Sequence, residues 1–298
     1  MVSGVFIVFG HGCAHSVRGA FIVFAGVFLG LGAAFCQSLS YVFSRLFLSQ
    51  FPRRSFTLLA LAHVIMGALA LCILPFVIPQ SLPNWKELAP PLLGASVCYL
   101  CGQTCLFMAL RYAEPSRVSP LLGIKIVVLA LVTTVFMQSN YTFLQWTAVG
   151  LSVTAALMLR QSGSRIPWDS MAWVLAACVG YAFSDINIRL LVQRFSYLPL
   201  SRAALVSACL SYLLCLFFTC PLLLFSPRPG LRMWGYAIPF ALAWFTAMLF
   251  LFACFGSIGV VFGNIVQSSR GLLSVVMGSL LAKWGWHFLE VRDRKSVV

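Results

Sequence analysis

The sequence predicts an all-α polytopic membrane protein: two inverted five-helix repeats forming a ten-helix bundle, with the tenth helix missing from this chain. Three observations lead there. The 298 residues are 61% hydrophobic and 9% charged, with mean hydropathy +0.97, whereas soluble domains run near ~25% charged. Apolar runs of spanning length recur along almost the whole chain, separated by connections short enough for a compact helical bundle. The two halves also share residues at a nearly constant offset. The formal charge of +14 sits mostly between apolar runs. There it orients the chain in a lipid bilayer and does not form a nucleic-acid surface.

Residues 1–19 read as an N-terminal extension, because their apolar run is too short to span. Nine runs then follow, at 20–43, 56–78, 89–109, 118–138, 143–159, 171–191, 203–225, 236–255 and 260–281. The first contains Gly26 and Gly30, a spacing that lets helix backbones approach closely. Loops after the odd-numbered spans carry ten basic residues against five on the other side, which predicts a cytoplasmic location for the first set.

The repeat shows in matched positions. At an offset of 144, Ala33, Ser40, Arg45, Leu46 and Phe51 fall on Ala177, Ser184, Arg189, Leu190 and Phe195. At an offset of 145, Leu106 and Phe107 fall on Leu251 and Phe252, and Lys125 falls on Arg270. This divides the chain into a first repeat over 20–160 and a second over 168–292. A unit of five spans enters its second copy upside down, the arrangement with which transporters build a midplane site. The second copy is one span short. The last six residues, 293–298, can be encoded by a common sequencing-adapter sequence and are expected to be a non-native tail.

The chemistry concentrates in the ninth run. Arg270 lies near the middle of the stretch 259–283, roughly 15 Å from either end at 1.5 Å per helical residue. A cation at that depth costs at least a few kcal/mol unless it faces protein, water or an anion. Gly263, Gln267, Arg270 and Ser274 share one helical face. Two readings compete, a helix lining a substrate cavity and an arginine tied structurally to neighbouring carbonyls, and the first is adopted. Lys125 is shallower and within reach of the interface, but its match to Arg270 places it on the same cavity. Together the two cations predict a site for an anion or the carboxylate of a zwitterion. The substrate-binding set is therefore Arg270, Lys125, Gln267, Asn264, Ser274 and Gln37.

Other polar residues take plainer readings. Asp185 and Arg189 are spaced as a local ion pair, with proton coupling through Asp185 as the lesser alternative, and His63 reads as a bonded packing residue. Cys98, Cys101 and Cys105 lie on one helical face with no histidine nearby, which suits packing and no metal. Metalloprotease, nucleophile-elbow and nucleotide-loop signatures are absent, and six acidic residues leave little for acid–base catalysis. No catalytic residue, cofactor or enzyme activity is expected.

Two motifs carry a family resemblance. Phe107 to Ala113, FMALRYA, leads through Pro115 to Val118, Ser119 and Pro120; Thr142 to Trp146, TFLQW, is followed by Gly150. These resemble the EamA-type proteins of the drug/metabolite transporter superfamily. The resemblance implies ten helices in two inverted repeats, with the first four of each around a central cavity. It also implies export or exchange of small metabolites, and a multi-pass place in the inner (cytoplasmic) membrane as a monomer or homodimer. Gln138 stands where the family often has a glutamate, and Gly263 and Asn264 stand where the ninth helix offers no proline. Phosphate-sugar exchangers of the superfamily use basic residues in the fourth and ninth helices, which Lys125 and Arg270 resemble. The expected function is alternating-access transport of a small anionic or carboxylate-bearing metabolite. The alternatives are export of cationic or hydrophobic amines, using Tyr99, Tyr181 and Asp185, and a non-transporting lipid-handling or assembly protein with basic rims at Arg53 and Arg54.

Overall fold

The computed structural model describes residues 13–52, 54–112, 121–138, 141–143, 146–151, 154, 168–224 and 229–283. Each apolar run continues as helix until a residue that cannot extend it. Helix α1 (Cys13–Gln50) stops two residues before Pro52, and α2 (Ser55–Val77) stops at Ile78, held extended (ψ 131°) ahead of Pro79. Asn84 opens α3 (Trp85–Tyr112), its Oδ1 accepting from the Lys86 amide at 3.1 Å. A 3₁₀ turn, Leu122–Ile124, leads into α4 (Lys125–Met137), which closes on Gln138 in the left-handed region (φ 51°). Then come α5 (Trp168–Arg194), α6 (Leu200–Leu224) and α7 (Leu231–Ile258). Gly259 alone joins α7 to α8 (Val260–Gln267), and its φ of 81° is one that side chains resist. Helix α9 (Arg270–Lys283) follows.

Among the described residues six helices are long and apolar enough to cross a membrane: Ala20–Gln50, Ser55–Val77, Trp85–Ala109, Trp168–Arg194, Leu200–Pro221 and Leu231–Ile258. They correspond to runs one to three and six to eight. The ninth run was expected as one rod and is two. Ser268 and Ser269 form a turn in which their amides reach back three residues, to Ile265 and Val266, both at 3.2 Å. The Ser268 hydroxyl adds a bond to the Ile265 carbonyl at 2.6 Å, and such side-chain bonds compete with the helical ladder. The fourth run is likewise interrupted, by the 3₁₀ turn just ahead of Lys125. Most of the fifth run, the residues from Ala113 to Pro120, Arg53 and the last fifteen residues lie outside the described part.

The packing is a set of crossed pairs. Helix α1 lies on α7, α2 on α6 and α3 on α5, with α4 against α5 and α8, and both α8 and α9 against α1. Exchanging α1 with α5, α2 with α6, α3 with α7, and α4 with the α8–α9 pair carries each of these contacts onto another of the same set. The matched residues found in the sequence occupy these seams: Ala33 and Ala177 are fully buried, as are Ser40 and Ser184. The tightest seam is α3 on α5. A Cβ at Gly180 would stand 3.0 Å from the Cys98 carbonyl and the Gly102 backbone. Gly30 does the same for α1, where a Cβ would meet Val266 at 2.7 Å. Large apolar side chains such as Leu71, Phe76, Val135, Phe217 and Leu272 face outward, while Gln37, Ser40, Ser184, Asp185, Asn264 and Gln267 are buried. That inside-out distribution suits a lipid surround.

Candidate functional site

The two helix interruptions frame the site. Lys125 is the first residue of α4 and Arg270 the first of α9, so the matched cations stand at matched breaks. Around Arg270, the Gln37 Oε1 of α1 accepts two bonds, from Arg270 Nη1 at 3.1 Å and from Gln267 Nε2 at 2.8 Å. Ser38 Oγ donates to the Arg270 carbonyl at 3.0 Å and lies 2.8 Å from the Ala34 carbonyl. This first cluster joins α1, α8 and α9.

Around Lys125, the ammonium lies 2.8 Å from Asp185 Oδ2 and 5.8 Å from the centre of the Tyr181 ring. Asn264 Nδ2 donates to the same carboxylate oxygen at 2.9 Å and to the Val260 carbonyl at 2.8 Å. This second cluster joins α4, α5 and α8. Asn264 and Gln267, three residues apart on α8, tie the clusters together. The pairing repeats across the halves: Gln37 bonds Arg270, and at the offset of 144 its counterpart Tyr181 places its ring by Lys125.

Residues 24–161 match the EamA-like transporter family. That stretch is similar to an EamA-like transporter domain. With six membrane-length helices among the described residues, this similarity supports a multi-pass membrane transporter, and transporters of the EamA family are not enzymes. A protein of known crystal structure superposes on the EamA-like chain with a TM-score of 0.62, covering 89% of this chain and 88% of the other at 14% identity, and so shares its fold. No curated protein matches.

Five of the six residues expected to bind substrate thus fall into two linked clusters, buried except for the half-buried Arg270. The sixth, Ser274, lies one turn beyond Arg270, and its buried hydroxyl finds no partner among the described residues. The expected local pair of Asp185 with Arg189 is replaced. Asp185 bonds Lys125 and Asn264 from other helices, while the Arg189 guanidinium lies by Gly259, 3.2 Å from where a Cβ would stand. Helical spacing pointed to the nearer cation, but burial favours the partner that enters the same interior with it. A signal for this lay in the offset of 144, which matches Gln37 beside Arg270 to Tyr181 beside Lys125.

His63 Nδ1 donates to the Leu59 carbonyl (2.8 Å) on α2, beside the rings of Tyr99 and Tyr212. Gln103 Nε2 donates to Tyr99 Oη at 3.1 Å. Cys98, Cys101 and Cys105 are free thiols on α3.

Proposed function

We propose that this EamA-like protein is an alternating-access carrier of a small anionic or carboxylate-bearing metabolite in the cytoplasmic membrane. Its unit is a pair of inverted five-helix repeats, over residues 20–160 and 168–292, and the packing that survives exchange of the halves supports this division. The observation that carries the reading is Arg270. It stands at a break in a helix otherwise apolar enough to meet lipid, and among the described residues its side chain bonds only the neutral Gln37. A guanidinium so placed is a few kcal/mol short of its solvation in water. An anionic cargo supplies charge-assisted bonds worth about 1.5–3 kcal/mol each.

Lys125 contributes differently from Arg270. Its charge is already balanced by Asp185, so the two clusters together hold two cations and one carboxylate. The surplus is one positive charge, which attracts an anionic cargo. Gln267, Asn264, Gln37 and the free hydroxyl of Ser274 supply neutral bonds. The amine-export reading loses support on the same geometry, because Asp185 and the Tyr181 face are occupied by Lys125.

Thermal unfolding in detergent tests the proposal against matched anionic, zwitterionic and cationic metabolites, with methanesulfonate and sulfate as plain anions. A ligand at about 100 times its dissociation constant stabilises by roughly 2.7 kcal/mol. Anions are expected to raise the transition of wild type and to lose that effect in Arg270→Gln. Equal stabilisation of both proteins by cations, with none by anions, overturns the proposal.

A further inference from the structure

Asp185 is the single acidic side chain buried among the described residues; Glu87 and Asp169 are exposed at helix ends. It holds Lys125 of the first half from a helix of the second half, at 2.8 Å with both side chains about nine-tenths buried. Among the described residues its surroundings contain no second carboxylate. Lys125 on α4 and the neutral Asn264 on α8 touch it directly. On α5 itself Tyr181, Cys178 and Arg189 are the neighbouring titratable groups, and Arg189 is directed to Gly259. From the other packed elements come Tyr99 on α3, 6.4 Å from the Tyr181 ring, Tyr212 on α6, Cys254 on α7 and Arg270 on α9. Whatever disturbs the Lys125–Asp185 pair therefore leaves Asp185 with no other cation within bonding reach.

Resting on the anion-carrier reading, we propose that Asp185 is the coupling site of the carrier: it takes up one proton when Lys125 turns to the anionic cargo, so anion and proton cross together. Before loading, the lysine ammonium pairs with the aspartate carboxylate. In the loaded state the ammonium pairs with the anion, and the carboxylate has become a neutral carboxyl group whose oxygen still accepts from Asn264. One positive and one negative charge have entered, so the charge of the cluster is unchanged. Without the proton, the anion would displace a buried carboxylate with no cation left to face, an arrangement that costs several kcal/mol. With it, both anionic groups are satisfied in turn. On release the anion leaves Lys125, the carboxyl group gives up its proton on the same side, and the ion pair re-forms.

Infrared difference spectroscopy on the full chain in detergent tests this with methanesulfonate, a singly charged anion that has no carbonyl group and stays ionised at neutral pH. Its addition to wild type is expected to convert one carboxylate per protein into a protonated carboxyl band. Asp185→Asn should lack the band. Lys125→Gln, in which Asp185 has no cation, should show the band without the anion and no change on adding it. If methanesulfonate stabilises wild type against heat but no carboxyl band appears, the coupling is wrong and the anion carrier stands. If Lys125→Gln responds as wild type does, the assignment to this pair is wrong. If neither methanesulfonate nor any anion of the metabolite panel stabilises the protein and no band appears, the carrier reading falls and takes the coupling with it.

Discussion

Replacing Asp185 by leucine removes the carboxylate and leaves Lys125 buried, with a ring and no counter-ion within bonding distance. Only about a tenth of either side chain is exposed, so water cannot take over the lost interaction. Breaking such a pair costs about 3–5 kcal/mol, most of it from the charge left behind. Asn264 loses one acceptor but keeps the Val260 carbonyl, so its share is smaller. The double variant Lys125→Met with Asp185→Leu removes both charges at similar volume, and replacing a whole buried pair in this way is often neutral or better. The expected pattern is therefore strong non-additivity: the single Asp185→Leu variant loses about 3–5 kcal/mol, and the double variant lies within about 1 kcal/mol of wild type. Thermal unfolding in detergent reads it, and on soluble-domain scaling of about 2–4 °C per kcal/mol the single variant falls by roughly 6–20 °C. A double variant as unstable as the sum of the singles would refute the argument, because it would show that the two groups do not share one desolvated site.

Two further variants probe the seams around the site. Gln37→Leu deprives Gln267 and Arg270 of their shared acceptor and should cost about 1–3 kcal/mol or more; Gln37→Glu should recover that stability while pairing with Arg270 and abolishing anion-induced stabilisation in the same assay. Gly180→Val forces a side chain into the α3 backbone and should destabilise by about 1–3 kcal/mol or more, whereas Gly235→Ala, with open space around it, should leave the unfolding transition unchanged or raised.

Composition and hydropathy made the fold class legible, because a chain this poor in charge can satisfy its backbone in lipid only as helices or a closed barrel. The six continuous spans follow from run length and proline position. The broken fourth and ninth spans do not, since a turn of two serines or a single 3₁₀ step leaves hydropathy untouched. Periodicity found the face shared by Gln267 and Arg270, and the repeat linked Lys125 to them. Asp185 was misread because sequence distance favours Arg189 at four residues over Lys125 at sixty. Only the crossing of α4, α5 and α8 brings the longer-range partner within 2.8 Å. Ser274 shared the predicted face but lies beyond the break, which separates it from the bonded cluster.

Residues matched at the offset of 144 differ near the two cations. Gln37 and Tyr181 occupy matched places beside matched cations, and one turn further along the same faces stand Tyr41 and Asp185. Among the described residues no carboxylate bonds Arg270, whereas Asp185 cancels the charge of Lys125. Had both halves kept the tyrosine, the interior would carry two uncompensated cations and cost several kcal/mol more to hold in lipid. Had both acquired the aspartate, each cation would be closed to cargo. One of each gives an interior with a single surplus charge, enough to attract an anion and small enough to tolerate while empty. It also puts the compensated cation where a proton can open it, so the sequence difference between Tyr41 and Asp185 is the difference between a fixed attractor and a switchable one.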